Sequence, residues 1–499
     1  MTTLRHYSLG ETCPNSPHAV VSSLPTMADV RGYEEGAPQV MAALSSGYPR
    51  FWVHVFIQEL TTFYLERAGL SDCAGFLIPG RRAVQDLVDH IGPGVTALQV
   101  EPALYLLHYP AGDYELHDRV RRTVQHVGSA LSSRQAEDLL CIHGLRDRTH
   151  PEEAVAVGAQ AMVESEFARL VGCAAKDVLI CASGMNAFYA GFRAVEEAQA
   201  ARGRTKWLQV GWLYLDSGCI LQKFLGPETD LDCCYDATDT ESVIERIEAS
   251  GDALACVVVE CPTNPLVQVA DVKRIHAAVR RAGGMLMVDP SIASVYNVNV
   301  LPYADILVTS LTKYAAHEGD VMIGALALNP DSPHYGDLVL RTSSFYQPPY
   351  GRDLSRLAAQ MKKAPEVVAQ MNANARKLAD YLIGHSAVKK VYFAGHAAHF
   401  DKVAQGAKSS GSVITIELVG EMEPFYDGLE LMKGPSFGTD FTLVCPFMYL
   451  AHYELVTRDE GRDFLQSVGI DPELIRISVG TEPIKEIERV FARALDGRV

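Results

Sequence analysis

Between residues 151 and 330, short apolar runs alternate with stretches whose apolar residues recur every three to four positions. The runs are DVLICA (177–182), KWLQVGWLYL (206–215), ALACVVVE (253–260), MLMVD (285–289) and ADILVTS (304–310). Between them lie GMNAFYAGFRAVEEAQAA, TESVIERIEAS and ADVKRIHAAVRRAGG, with EEAVAVGAQAMVESEFARLVG leading in. Runs that are apolar throughout suit strands buried on both faces, and the intervening stretches suit amphipathic helices. The pattern predicts an α/β fold with a mostly parallel central sheet covered on both sides.

The flanking segments read differently and divide the chain into four. Residues 1–65 form an N-terminal arm, rich in Pro, Ser and Gly up to residue 47, with little regular structure expected there. FWVHVFIQELTTFYLERA (51–68) is apolar and aromatic and predicts a helix. Residues 66–150 are an inserted accessory segment in which RRAVQDLVDHIG and HDRVRRTVQHVGSAL predict surface helices. Residues 151–330 form the large domain. Residues 331–499 open with a Pro- and Gly-containing loop and continue through one long helical stretch, LSRLAAQMKKAPEVVAQMNANARKLADYLIG. Strand-like VKKVYFA and SVITIELVG and a final helix, IKEIERVFARAL, complete a smaller C-terminal α+β domain.

Composition narrows the function. The 499 residues are 48% hydrophobic and 21% charged, the balance of a folded globular protein. A formal net charge of −17 leaves no basic surplus to neutralise phosphates, which argues against nucleic acid as a partner. Eleven scattered cysteines form no C-x-x-C pair and no zinc spacing, so no metal is expected and a reducing cytoplasm is. No signal peptide and no membrane-spanning run is evident, so no membrane association is expected.

In an open parallel sheet, ligands gather at the carboxyl ends of the strands. The residues there are Ser183, Gly184 and Met185; Tyr214; Glu260, Pro262 and Asn264; Asp289; and Ser310, Thr312 and Lys313. Singly, each has a plain structural reading: a helix cap, a turn, a core aromatic, a solvated lysine. Cys181 and His317 lie close by and read as a core thiol and a solvated imidazole. Together the set has a chemistry. A lysine can form a Schiff base with an aldehyde cofactor, an aspartate can keep a pyridine nitrogen protonated, and a Ser-Gly-Met turn opening a helix offers N–H groups to a phosphate. Those are the requirements of pyridoxal 5'-phosphate (PLP).

The order of these pieces resembles the PLP-dependent cysteine/methionine-metabolism family, also called the cystathionine γ-synthase family. The resemblance rests on ASGMNA (182–187), ECPTNPLVQVADVKRIHAAVRRAGGMLMVD (260–289), SLTKYAAHEGDVMIG (310–324) and LIRISVGTE (474–482), with GYPRF (47–51) carrying a Tyr-x-Arg. HAVVSSLPTMADVRGYEEG (18–36) and the 135 positions between Tyr48 and Ser183 are similar to the fungal-type branch. The resemblance implies an aspartate aminotransferase-like, fold type I PLP-dependent transferase. It implies Lys313 as the Schiff-base lysine and proton shuttle, Asp289 on the pyridine nitrogen and Tyr214 stacked on the ring. Ser183, Gly184, Met185, Ser291, Ser310 and Thr312 would surround the cofactor and its phosphate, with Asn264 near its phenolic oxygen. Tyr48 and Arg50 would come from a neighbouring subunit, hence at least a homodimer and, by resemblance, a homotetramer. Arg476 would hold the α-carboxylate of an amino-acid substrate, with Ser436 nearby.

Three stretches depart from the family pattern: Pro290–Ser291–Ile292–Ala293 after the aspartate, LYLDSG around Tyr214, and YAAHEGD after Lys313. They leave the cofactor set intact and bear on the second substrate. The expected reaction is γ-replacement on an O-activated homoserine with cysteine as nucleophile, giving cystathionine in transsulfuration and amino-acid biosynthesis. The alternatives are another nucleophile (sulfide, methanethiol or carbon), γ- or β-elimination, and a non-catalytic homologue. No G-x-G-x-x-G follows a predicted strand, which speaks against a nicotinamide enzyme.

Overall fold

Three β-sheets follow one another along the chain in the computed structural model, which describes residues 4–48, 53–226 and 229–497. The first sheet contains β1 (Cys73–Pro79), β2 (Thr96–Glu101) and β3 (Leu104–Pro110), antiparallel in the order β1-β3-β2. The second contains β4 (Val178–Cys181), β5 (Lys206–Val210), β6 (Asp230–Cys234), β7 (Leu254–Glu260), β8 (Met285–Asp289), β9 (Ile306–Ser310) and β10 (Gly324–Leu328). Its order is β4-β10-β9-β8-β7-β5-β6, and β10 alone runs against the rest. The third contains β11 (Val388–Phe393), β12 (Val413–Leu418), β13 (Met432–Lys433), β14 (Leu443–Pro446) and β15 (Ile475–Ser478).

The second sheet explains why its strands lack alternation. Every residue of β7 is buried, because helices cover both faces. Each large apolar side chain so enclosed contributes about 1.5–3 kcal/mol. The covering helices follow their sequence signals. Val272–Ala282 starts at Asp271, whose carboxylate accepts from the Arg274 N–H, and stops at Gly283 in the left-handed conformation. Strands β6 and β10 were not expected; three of the five residues of GALAL are Gly or Ala, which blunts its apolar signal.

The structure differs from the expected outline in four places. The arm carries two helices, Met27–Glu34, with a capping box on Thr26 and Asp29, and Pro38–Ala43. It packs on the small domain of its own chain: Leu24 N–H donates to Lys433 O at 2.9 Å, and Val20 and Val21 join Phe441 and Leu443 in one apolar cluster. The boundary loop contains a helix, Tyr335–Phe345. The long helical stretch is two helices, Gly351–Met361 and Ala364–Ile383, with Pro365 in the first turn of the second; proline has no N–H to continue a preceding helix.

The fourth difference concerns the insertion. One face of its sheet, through Leu77, Leu104 and Leu106, covers Phe56, Leu60 and Tyr64 of helix Val55–Arg67. The other, through Ile78, Leu107 and Tyr109, shares an apolar core with helices Arg81–Ile91 and Tyr114–Val127 and with Phe188, Tyr189 and Phe192 of the large domain. The insertion is thus joined to the large domain by buried surface. Arg134, 1% exposed, adds a polar tie: its guanidinium reaches Glu152, Asp320 and Asp353. Among the described residues no helix is long and apolar enough to cross a membrane.

Candidate active site

The carboxyl ends of five strands of the second sheet meet the small domain in one cleft. Its lining includes Gly184, Met185, Tyr214, Asn264, Asp289, Ser291, Ser310 and Lys313 from the large domain and Ser436 and Arg476 from the small domain. Most of the sequence-predicted set is therefore brought together.

Lys313 follows β9 and is 6% exposed, so the plain reading of a solvated lysine does not hold. Its amine donates to Ser436 Oγ at 2.8 Å and lies 4.2 Å from the centre of the Tyr48 ring and 4.9 Å from that of Phe437. Loss of solvent, and then the charge of Arg476, hold this amine well below the usual lysine range. A neutral amine is a nucleophile and a base. Ser436 and Tyr314 both have positive φ, +136° and +60°, so two strained residues flank the amine.

Asp289 ends β8, paired in register with Glu260 at the end of β7. Desolvation pushes the Asp289 carboxyl up to about 6, against the opposing bond from the Ser291 N–H at 2.8 Å. Glu260 is held well above the carboxylate range by burial and by Asp289, and accepts from the Tyr214 N–H at 2.5 Å and the Asn264 N–H at 3.1 Å. Glu260 thereby fixes the two backbone segments that carry Tyr214 and Asn264. It was noted at the strand end but given no role; its register with Asp289 was the available signal.

The Ser183–Met185 turn starts helix Gly184–Ala200. Ser183 caps it, accepting from the Asn186 N–H at 3.0 Å, and its own proton goes to Gly128 O at 2.7 Å. Ser183 therefore orients the turn and does not donate into the cleft. The first N–H groups of a helix have no partner within it, and Gly184 and Met185, which carry two of them, line the cleft. A side chain at position 184 would strike Ser310, 2.8 Å from its Cβ. Ser310 Oγ is buried without a hydrogen-bond partner among the described residues. Two open N–H groups, a free hydroxyl and the missing Cβ make a cradle for an anionic group such as a phosphate. Thr312 Oγ1 instead bonds both the N–H and the carbonyl of Ile323, and Ser291 Oγ ties the strand ends through Thr309 Oγ1 and the Ser310 N–H.

Arg476 lies on β15, 6% exposed, between the rings of Phe437 and Phe447 at 5.1 and 5.0 Å. Nη1 donates to Asn264 Oδ1 and Nη2 to Ser436 O, both at 3.0 Å. The guanidinium has five N–H donors, so some remain for a carboxylate. Asn264 thus orients the arginine. Phe437, Phe447 and Leu450 line the cleft and carried no sequence signal, because their proximity arises only when the small domain folds onto the large one.

Tyr48 lies in the cleft of its own chain, its ring centre 4.2 Å from the Lys313 amine; Arg50 lies outside the described residues. One expectation changes. His317 is 2% exposed instead of solvated, since its loop is covered by the arm, whose Val20 N–H donates to Gly319 O at 2.8 Å.

This arrangement fits PLP: a neutral buried lysine, a carboxyl in the floor and an anion cradle in one cleft. Comparison with known proteins agrees. Residues 158–496 match the family described as Cys/Met metabolism PLP-dependent enzyme. The chain is 34% identical over 488 residues to an L-2-amino-4-chloropent-4-enoate dechlorinase/desaturase of Streptantibioticus cattleyicolor, covering 97% of each. It is 26% identical over 619 residues to a cystathionine gamma-synthase of Neurospora crassa, covering 98% of each. Among solved structures, metB from Corynebacterium glutamicum superposes with a TM-score of 0.59 at 21% identity, over 68% of this chain and 86% of that one. A cystathionine gamma synthase of Xanthomonas oryzae pv. oryzae gives 0.56 at 23% identity, over 68% and 85%. These structures share the fold type I architecture. The chain belongs to the Cys/Met metabolism family of PLP-dependent enzymes, and PLP is its cofactor.

Proposed function

We propose that this enzyme eliminates the γ-substituent of a short L-α-amino acid, and that loss of HCl from L-2-amino-4-chloropent-4-enoate is the reaction to test first. One observation carries the choice of elimination over γ-replacement with cysteine. Among the described residues lining the cleft, the charged side chains are Glu260, Asp289, Lys313 and Arg476, and the remaining wall includes Phe437, Phe447, Leu450 and Ala451. Lys313 and Asp289 serve the cofactor, Glu260 is bonded to backbone, and Arg476 suits a single α-carboxylate. Cysteine would bring a second ammonium and a second carboxylate against the wall of Phe437, Phe447, Leu450 and Ala451, which offers them no charge, at a cost in desolvation. A vinyl chloride side chain needs none. The similarity to a dechlorinase/desaturase along 97% of the chain supports the same reading.

Bound PLP supplies an electron sink for the charge left when a Cα–H bond breaks. The chain's residues do the rest. Arg476, steadied by Asn264, holds the α-carboxylate. Lys313 takes the Cα proton on its neutral amine and can pass a proton along the substrate, with Ser436 holding Nζ between transfers. Asp289 keeps the ring nitrogen's proton in place. A Cβ–H bond then breaks and its electron pair drives chloride off Cγ, the apolar wall keeping water away; Lys313 returns one proton to the carbon skeleton, so the substrate loses one proton and one chloride in total. We also propose at least a homodimer, on the family resemblance of the Tyr48 and Arg50 segment; an active monomer by light scattering sinks that part.

The test is chloride release and product mass, with and without cysteine. Stoichiometric chloride from the chloropentenoate without cysteine, and no new product when cysteine is added, supports elimination. Inert chloropentenoate, with O-acetylhomoserine giving cystathionine only when cysteine is present, returns the enzyme to γ-replacement.

A further inference from the structure

The insertion meets the cofactor cradle at Gly128. This glycine ends helix Tyr114–Val127 in the left-handed conformation, φ +68°. A Cβ built on it would lie 2.5 Å from both Ser183 Oγ and the Asn186 backbone nitrogen, and 2.7 Å from Met185 Cβ. The conformation and the close approach both call for glycine. The contact is also bonded. Ser183 Oγ donates to Gly128 O at 2.7 Å and Asn186 Nδ2 donates to Val127 O at 3.3 Å. On its far side Asn186 Oδ1 accepts from the Gln347 N–H at 2.7 Å, so the turn is gripped from two directions. Close by, Gln125 Nε2 donates to Asp216 Oδ1 at 2.7 Å, two residues beyond Tyr214.

The carbonyl end of a helix is partially negative and repels a phosphate. Here the last carbonyls of Tyr114–Val127 are capped by the Ser183 hydroxyl and the Asn186 amide, so the helix braces the turn instead of opposing its ligand. The N–H groups of Gly184 and Met185 bind an anion well only if their direction is fixed beforehand.

We propose that residues 73–131 of the insertion form a positioning element for the cofactor phosphate that acts through Gly128. The inference holds whichever γ-substituent is expelled. The experiment titrates PLP into apoprotein, following the visible absorbance, and records the melting temperature of each apoprotein and turnover at saturating PLP. Gly128→Ala is expected to weaken PLP binding about tenfold, the size of one strained contact, while turnover at saturation falls by less than about threefold. Ser183→Ala is expected to weaken it in the same direction. Gly112→Ala, in the same insertion where a Cβ meets nothing within 4 Å, is expected to bind like the parent. Unchanged PLP affinity in Gly128→Ala, even with a lower melting temperature, would overturn the proposal. If Gly128→Ala does not fold, Ser183→Ala decides, and unchanged affinity there overturns it equally.

Discussion

Ser436 accepts a 2.8 Å hydrogen bond from the amine of Lys313, 123 positions earlier in the chain, while holding a backbone φ of +136°. Strain and function therefore sit in one residue. Ser436→Gly is expected to raise the melting point, by the equivalent of about 1 kcal/mol, and to slow turnover because the amine loses its acceptor. Ser436→Ala is expected to slow turnover without the gain. Thermal melts beside steady-state rates check both; a Gly variant no more stable than the parent removes the strain argument.

Asp289 gives a pH dependence with a defined sign. In the folded apoprotein its carboxyl keeps a proton up to about pH 6, whereas unfolded it ionises near the ordinary aspartate value of 3.8. The native state binds more protons between those values, so its stability falls as pH rises through them, by about 2–3 kcal/mol from this group. Asp289→Asn does not titrate. The apo variant should therefore gain on the parent as pH climbs from 4 to 7, while with PLP bound it should be the weaker binder. A melting-temperature difference flat across that range would refute the assignment.

Arg476→Lys keeps the charge but loses the fork that spans Asn264, Ser436 and a carboxylate. We expect kcat/KM to drop about 10- to 100-fold, mostly through KM, with the visible spectrum of the cofactor unchanged. A spectrum that changes with it would place the arginine on the cofactor instead of the substrate.

Arg134→Met leaves Asp353, 4% exposed, without its cation, while Asp320 keeps Arg356 at 2.9 Å. Breaking such a network from one side costs about 3–5 kcal/mol. Differential scanning should show a large loss of melting temperature, and Arg134→Lys a smaller one.

Much of the site was legible because one rule, that ligands gather at the carboxyl edge of a parallel sheet, singled out Asp289 and Lys313 before any contact was known. The family segments added Arg476. Illegible features share a cause. Phe437 and Phe447 enter the cleft when two domains close, and Ser183 turns its proton to Gly128, 55 positions away in the chain. Such contacts leave no local pattern. Strand β10 was hidden because small residues mask its burial, and the arm's helices because Pro and Gly around them dominate the composition. His317 was misread for the opposite reason: a polar residue in a loop looks solvated until another segment covers the loop.

The shared core of the insertion and the large domain bears on any shortening of the chain. Tyr189 and Phe192 are 1% and 0% exposed in an apolar cluster that includes Ile78, Leu107 and Tyr109 of the insertion. A chain that lost residues 73–131 in one step would bare those aromatics and take away the Gly128 carbonyl that holds Ser183. Shortening this enzyme therefore calls for new surface residues at Tyr189 and Phe192 along with the deletion.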